Sequence, residues 1–194
     1  NCIINAIKLA RPKEKRVYRH NDVGELDARL TEVEGCRRAL VVTDGIFSMR
    51  GDAAPLREIQ AVVERCDARF PENAVLVVDD SHGVGAFGAT GRGTEEYCGA
   101  PPSDVLVATL GKALGVNGGY VTGCRELIDY LRESSMMYIY SNPITVGEAA
   151  AAIAAVSVVD SDDGRSLLSH LAAMTARFEN GLVDELGNER TAIL

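Results

Sequence analysis

The chain has 194 residues, 46% of them hydrophobic and 25% charged, with a formal net charge of −8. That composition belongs to a folded globular domain, and the acidic balance, with neither a basic run nor interleaved aromatics, excludes the footprint of a nucleic-acid surface. The longest apolar stretch, EAAAAIAAVSVV, is alanine-dominated and too short to cross a bilayer, and no signal-peptide pattern opens the chain, so the expectation is a cytoplasmic protein with a small-molecule site and no membrane contact.

The first ten residues, NCIINAIKLA, are apolar at helical spacing and carry no initiating methionine, and the chain stops at TAIL just after a helix; it reads as an internal piece of something longer. Asp22 as N-cap and Glu25 as third helical residue predict a helix with Val23, Leu26, Leu30 and Val33 on one face, closed at Gly35. RALVVTD then predicts a strand. Pro55 starts a second helix whose apolar face is Leu56, Ile59, Val63, Cys66 and Phe70, and AVLVVDD, an unbroken apolar run ending in two acids, predicts a buried parallel strand. DVLVATL gives a third strand, GGYVTG a short fourth, RELIDYLRES another helix, and residues 144–187 two more helical segments. Strands alternating with helices imply an α/β fold with a mostly parallel sheet. Cysteines 2, 36, 66, 98 and 124 stand singly without CxxC spacing, which predicts buried small hydrophobes rather than a zinc or disulfide scaffold.

Ligands of such sheets sit beyond the C-terminal strand ends. The sequence loads those ends with Asp44, with Asp79 and Asp80, and with Thr109 and Lys112. An aspartate at the end of a buried strand needs a cation or donor to face it. A metal held by Asp79, Asp80 and His82 is disfavoured, because the other histidines are His20, in an exposed-looking connection, and His170, on the late helix. A dinucleotide fits GVGAFG at 83–88, but ATGRGT follows in place of a continuing helix, and no second strand ends in an acid about 20 residues on. A pyridoxal phosphate (PLP) site needs a lysine for the Schiff base and a carboxylate against the pyridine nitrogen, and Lys112 with Asp79 supplies that pair. An apolar pocket around Lys112, with Gly111 and Gly115 bending the backbone, is then expected.

DGIFSMRGDAAPL, VVDDSHGVGAFGATGRGTEEY, TLGKALGVNGGY and YIYSNP occur in the order and approximate spacing of the α-oxoamine synthases, PLP enzymes that join an amino acid to an acyl-CoA, and the chain resembles that family over residues 1–160. The resemblance implies the PLP-dependent transferase fold type I. Residues 1–187 would be the central part of the PLP-binding large domain and 188–194 the start of the C-terminal small domain. It implies further that Lys112 forms the Schiff base, Asp79 pairs with the pyridinium nitrogen, His82 bonds the ring hydroxyl and Thr109 binds the phosphate. Ser48 is implied near the ring hydroxyl and Asp44 near the substrate, while Ser141 and Asn142 match a segment that reaches the phosphate of a neighbouring subunit, which implies a homodimer with shared sites. The glycine-rich phosphate loop and ring-stacking residue that the family carries N-terminally, and its C-terminal carboxylate-binding arginine, are not in this sequence.

Within the family, TDGIFSM, EEYCG and YSNP are most similar to glycine C-acetyltransferase, which condenses glycine with acetyl-CoA. The alternative is 8-amino-7-oxononanoate synthase, condensing alanine with a longer acyl-CoA, in which a glutamate usually stands at the place of Asp44. A non-catalytic subunit of the same fold is the alternative from another class, and the intact Lys112, Asp79 and His82 speak against it. Asp80 is expected to be structural, bonded to loop amides, Arg92 a solvated charge or dimer contact, and residues 149–156 core or subunit interface.

Overall fold

A computed structural model describes residues 2–186. Helix α1 (Cys2–Ala10) precedes an extended stretch, and α2 (Val23–Thr31) follows, with Asp22 accepting from the Glu25 amide at 2.8 Å as its N-cap. The Glu25 carboxylate does not complete a capping box; it turns to the Arg19 amide at 2.7 Å and the Arg29 guanidinium at 2.8 Å. Strand β1 (Ala39–Asp44) runs into a hairpin of β2 (Ile46–Phe47) and β3 (Asp52–Ala53), then α3 (Leu56–Cys66) and a short 3-10 turn lead to β4 (Ala74–Asp79). After a glycine-rich loop come α4 (Thr94–Cys98), β5 (Val105–Thr109), β6 (Gly119–Gly123), α5 (Arg125–Ser134), α6 (Met136–Tyr140), α7 (Val146–Val159) and α8 (Asp162–Leu186).

The main sheet has the order β1-β4-β5-β6; its first three strands are parallel, and β6 returns antiparallel to β5. The parallel pairs are joined through α3 and through the loop and α4, as crossover connections require. Glycines end β6 on both sides, and no crossover helix separates it from β5, which is why it pairs as a hairpin strand. The β2–β3 hairpin was not evident in the sequence, since its strands have two residues each and lack a hydrophobic period.

The core lies on one face of β1 and β4. Val41, Leu76 and Val78 meet Leu26 and Leu30 of α2 and Leu56, Ile59, Val62, Val63 and Cys66 of α3, with Phe70 closing the edge. Each such aliphatic side chain contributes about 1.5–3 kcal/mol when removed from water. Along β4 burial alternates: Ala74, Leu76 and Val78 are buried, whereas Val75, Val77 and Asp79 are half-buried. The unbroken apolar run thus reads as two unequal faces. A second, smaller cluster of Leu110, Leu114 and Val116 packs against Ala152, Ala155 and Val159 of α7.

The cysteine expectation holds for one position. Cys66 is buried, Cys36 and Cys98 are half-buried, and Cys2 and Cys124 are exposed, because they sit at the outer starts of α1 and α5. The alanine-rich α7 contains no fully buried residue; Ala152, Ala155 and Val159 lie half-buried against the second cluster, and its other residues between 149 and 156 are mostly exposed. No described helix is long and apolar enough to cross a membrane.

Leu76→Ala in the full-length protein should lower the unfolding free energy by about 2–5 kcal/mol, since Leu76 is enclosed by α3 and the sheet. Glu64→Ala on the exposed side of α3 should change it by less than about 0.5 kcal/mol. Urea unfolding midpoints compare the two.

Candidate PLP site

Parallel register brings the first two acids together. Asp44 ends β1 directly beside Asp79, its register partner at the end of β4. The ladder continues past both: the Gly45 amide donates to the Asp79 carbonyl at 2.8 Å and the Asp80 amide to the Val107 carbonyl at 2.8 Å. Asp79 and Asp80 then part. Successive strand residues face opposite sides; Asp79 stays half-buried and Asp80 is fully enclosed, bonded to the Thr94 amide at 2.8 Å and to the Thr94 hydroxyl. Asp80 has the structural surroundings that the sequence suggested.

Asp79 Oδ1 accepts from the Ser81 amide at 3.1 Å, a local turn that fixes the carboxylate, and Asp79 Oδ2 has no partner among the described residues. The Ser81 hydroxyl in turn accepts from the Thr109 amide at 3.1 Å, tying the end of β4 to the end of β5. Sequence reasoning passed over Ser81. Its position between two candidate residues in DDSHG was the one available signal.

Thr109 braces the next loop. Its hydroxyl donates to the Gly118 carbonyl at 3.0 Å and accepts from the Gly111 amide at 3.1 Å. Leu110 closes the base of the loop, its amide bonding Gly118 and its carbonyl accepting from Val116. Lys112 rides on this loop between Leu110 and Leu114, which are both buried and anchor it. Lys112 itself is exposed, so the apolar pocket expected around it is not formed by the described residues; Leu110 and Leu114 are buried and leave the lysine outside. The loop after β4 reaches the same place. Gly85 has φ +80 and lies so near Ala113 that a Cβ there would stand 2.8 Å from the alanine methyl, which only glycine permits. GVGAFG is therefore a series of turns crossing to the lysine loop, not the start of a helix.

Charge links these groups. Burial pushes the Asp44 carboxyl above its ordinary range, Asp79 raises it further, and His82 and Lys112 oppose the rise, so Asp44 senses all three. His82 is exposed on its loop, and its ring has no partner among the described residues. Ser48 is exposed in the turn of the β2–β3 hairpin that follows Asp44 and Gly45, with no hydrogen bond among the described residues. Ser141 and Asn142 are exposed beyond α6. The Ser141 hydroxyl donates to the Met137 carbonyl, and two residues after Asn142, Ile144 packs against Gly118 at the base of the lysine loop.

His20 departs from expectation. It is half-buried rather than exposed, with Nε2 2.7 Å from Asp52 Oδ2 and its ring edge-on to Phe47 at 4.4 Å. The partner lies 32 residues away on the hairpin, a contact without any local signature. Arg92 matches its expectation as a surface charge, pairing with Asp160 at 3.1 Å.

The second carboxylate oxygen of Asp79, the Lys112 amine, the His82 imidazole and the Ser48 hydroxyl, none of them partnered among the described residues, form a donor and acceptor set that fits PLP. They match its protonated pyridine nitrogen, aldehyde and ring hydroxyl in kind. Thr109 is the exception, since its only proton is already committed to Gly118.

The sequence pattern of the family "Aminotransferase class I and II" matches residues 2–191. The 8-amino-7-oxononanoate synthase of Geobacter metallireducens is 42% identical over 192 residues, covering 96% of this chain and 47% of that protein. That of Marinobacter nauticus is 43% identical over 196 residues, covering 98% and 47%. The chain thus spans about half the length of the curated relatives it matches. Among solved structures, a serine palmitoyltransferase from Sphingomonas wittichii superposes with a TM-score of 0.75 at 31% identity over 85% of this chain and 40% of that one. An SPT structure with PLP gives 0.75 at 30% identity, over 87% and 40%. The 8-amino-7-oxononanoate synthase of Francisella tularensis gives 0.71 at 26% identity, over 94% and 50%.

These relatives favour the alternative named from the sequence over glycine C-acetyltransferase. The preference for the latter rested on short segments and on Asp44 in place of a glutamate, one methylene of difference. With the parallel strand ends, the lysine loop and these matches together, the chain belongs to the class I and II aminotransferase family and has the PLP-dependent transferase fold type I, in its α-oxoamine synthase-like branch.

Proposed function

We propose that this chain is the cofactor-binding core of an 8-amino-7-oxononanoate synthase-type enzyme, which joins alanine to a longer acyl-CoA and releases CoA. The observation that carries it is the meeting of Asp44 and Asp79 at the paired ends of β1 and β4, with Thr109 and the Lys112 loop following the end of the neighbouring β5, in a chain 42% identical to such a synthase. PLP, when bound, supplies an electron sink for the electron pair left as the amino acid loses its α-proton.

Asp79 would hold the proton on the pyridine nitrogen, using the oxygen that Ser81 leaves free. Lys112 Nζ would hold the cofactor by its aldehyde carbon until the substrate amine takes that place, and the amine so freed would take the substrate α-proton and return a proton at the end, a general base carried on a loop with buried anchors. His82 would bond the ring hydroxyl, with Ser48 beside it. Thr109 would hold the phosphate after its hydroxyl lets go of Gly118, the Gly111 amide continuing to donate to the Thr109 hydroxyl and so fixing it. Asp44, destabilised as an anion by burial, would orient the substrate amino group.

Residues 2–186 would form the central part of the large domain; the expected small-domain start at 188–194 lies outside the described residues. The site would be completed across a homodimer, with Ser141 and Asn142 reaching the partner's phosphate. Met136, Met137, Tyr138, Ile139 and Tyr140, all more than half exposed just before Ser141, fit such an interface.

The full-length protein should be yellow with PLP, and borohydride should fix the cofactor on Lys112; Lys112→Ala should lose both the label and the visible band. Asp79→Asn should retain much of the cofactor but lose turnover by about a hundredfold or more, measured by release of free CoA thiol. In the same thiol assay over a panel of amino acids and acyl-CoAs, alanine with a long acyl chain should be fastest, and a preference for glycine with acetyl-CoA would reverse the substrate assignment.

A further inference from the structure

Asp80 is the most enclosed ionisable group beside the site, with no exposed surface, and neither its role nor that of Thr94 is covered by the proposed chemistry. The Thr94 amide donates to one carboxylate oxygen at 2.8 Å and the Thr94 hydroxyl to the other; Thr94 too has no exposed surface. Three glycines close around this carboxylate. A Cβ would stand 2.3 Å from it at Gly45, 2.1 Å at Gly83 and 2.0 Å at Gly93, so no side chain fits at any of the three. Gly45 follows Asp44, Gly83 follows His82, and Asp80 itself follows Asp79. One carboxylate thus touches or adjoins the backbone beside all three site residues.

We propose that Asp80 is a positioning residue: its carboxylate, held by Thr94 and caged by Gly45, Gly83 and Gly93, sets the backbone that presents Asp44, Asp79 and His82 to the cofactor. An apolar side chain would fill the same space without desolvating an acid, so what the carboxylate adds is direction. Its two oxygens accept from fixed donors of the segment opening α4, and its main-chain carbonyl accepts from the Gly83 and Val84 amides at 3.0 and 3.1 Å, which ties the His82 turn to the same point. Burial pushes the Asp80 carboxyl upward while both Thr94 bonds draw it down, as a caged acid with built-in donors would behave. This inference rests on the role proposed for Asp79 and His82.

The test uses the full-length protein as Thr94→Val, which keeps shape and removes the hydroxyl, Thr94→Ser, which restores it, and Gly83→Ala, which drives a methyl onto the carboxylate. The readouts are the NMR signal of the His82 ring in ring-labelled apoprotein, assigned with His82→Gln, together with PLP affinity by equilibrium dialysis. Thr94→Val and Gly83→Ala should each move the His82 ring signal away from its wild-type position and weaken PLP about tenfold, whereas Thr94→Ser should match wild type. An unchanged His82 signal and unchanged PLP affinity in Thr94→Val, even with a lowered melting temperature, would overturn the inference and leave Asp80 a stabilising residue only. If Gly83→Ala does not fold, the two Thr94 variants decide. Should the wild type bind no PLP, the proposed function falls and the His82 readout still decides on Asp80.

Discussion

Two carboxylates, Asp44 and Asp79, end adjacent parallel strands at the same register, on strands that lie about 4.8 Å apart. Like charges so placed repel, and burial makes the anion at Asp44 less favourable still. The arrangement is tolerable only with positive charge or donors in front of it. Lys112 carries a positive charge and His82 an imidazole on two different loops that leave the same strand ends, and the rest of the site follows from holding those loops in place.

Each loop is held by a different device. The lysine loop is pinned by Leu110 and Leu114 below and by the Thr109 hydroxyl at its neck, so an exposed cation stands on a hydrophobic footing. The loop after β4 is held by backbone bonds from Asp80, by the Ser81 link to Thr109 and by close approach at Gly85. Ser81 and Gly85 join the two loops to each other. The cation and the acids are therefore placed by one connected set of short contacts rather than by independent turns.

The order of elements was legible because its signals are local. Period-3.6 faces in α2 and α3 and apolar runs in β1, β4 and β5 recur where expected, and Asp22 caps α2 through a neighbouring amide. Helix α2 ends at Thr31 rather than near Gly35, although Val33 and Cys36 beyond it still pack against the core. The candidate residues were legible as types at strand ends, Asp44, Asp79, Thr109 and Lys112, because strand polarity alone assigns them to one edge of the sheet. His20 with Asp52, and Ser81 with Thr109, were not legible; each pairs residues about thirty positions apart, and no local pattern specifies such a partner. The exposure of Lys112 was not legible either, since apolar neighbours in sequence indicate which side chains anchor a loop, not which way the polar one faces.

By itself the sequence determined the alternation of strands and helices, the burial of α3 against β4 and the chemical kinds of groups at the strand ends, because hydrophobic period and capping act over a few residues. The tertiary structure decided which of two adjacent acids faces the site and which is caged. It also decided that β6 runs antiparallel, and that Gly85 passes against Ala113. Those outcomes depend on register and on closeness between segments far apart in the chain, and both are set only when the sheet assembles.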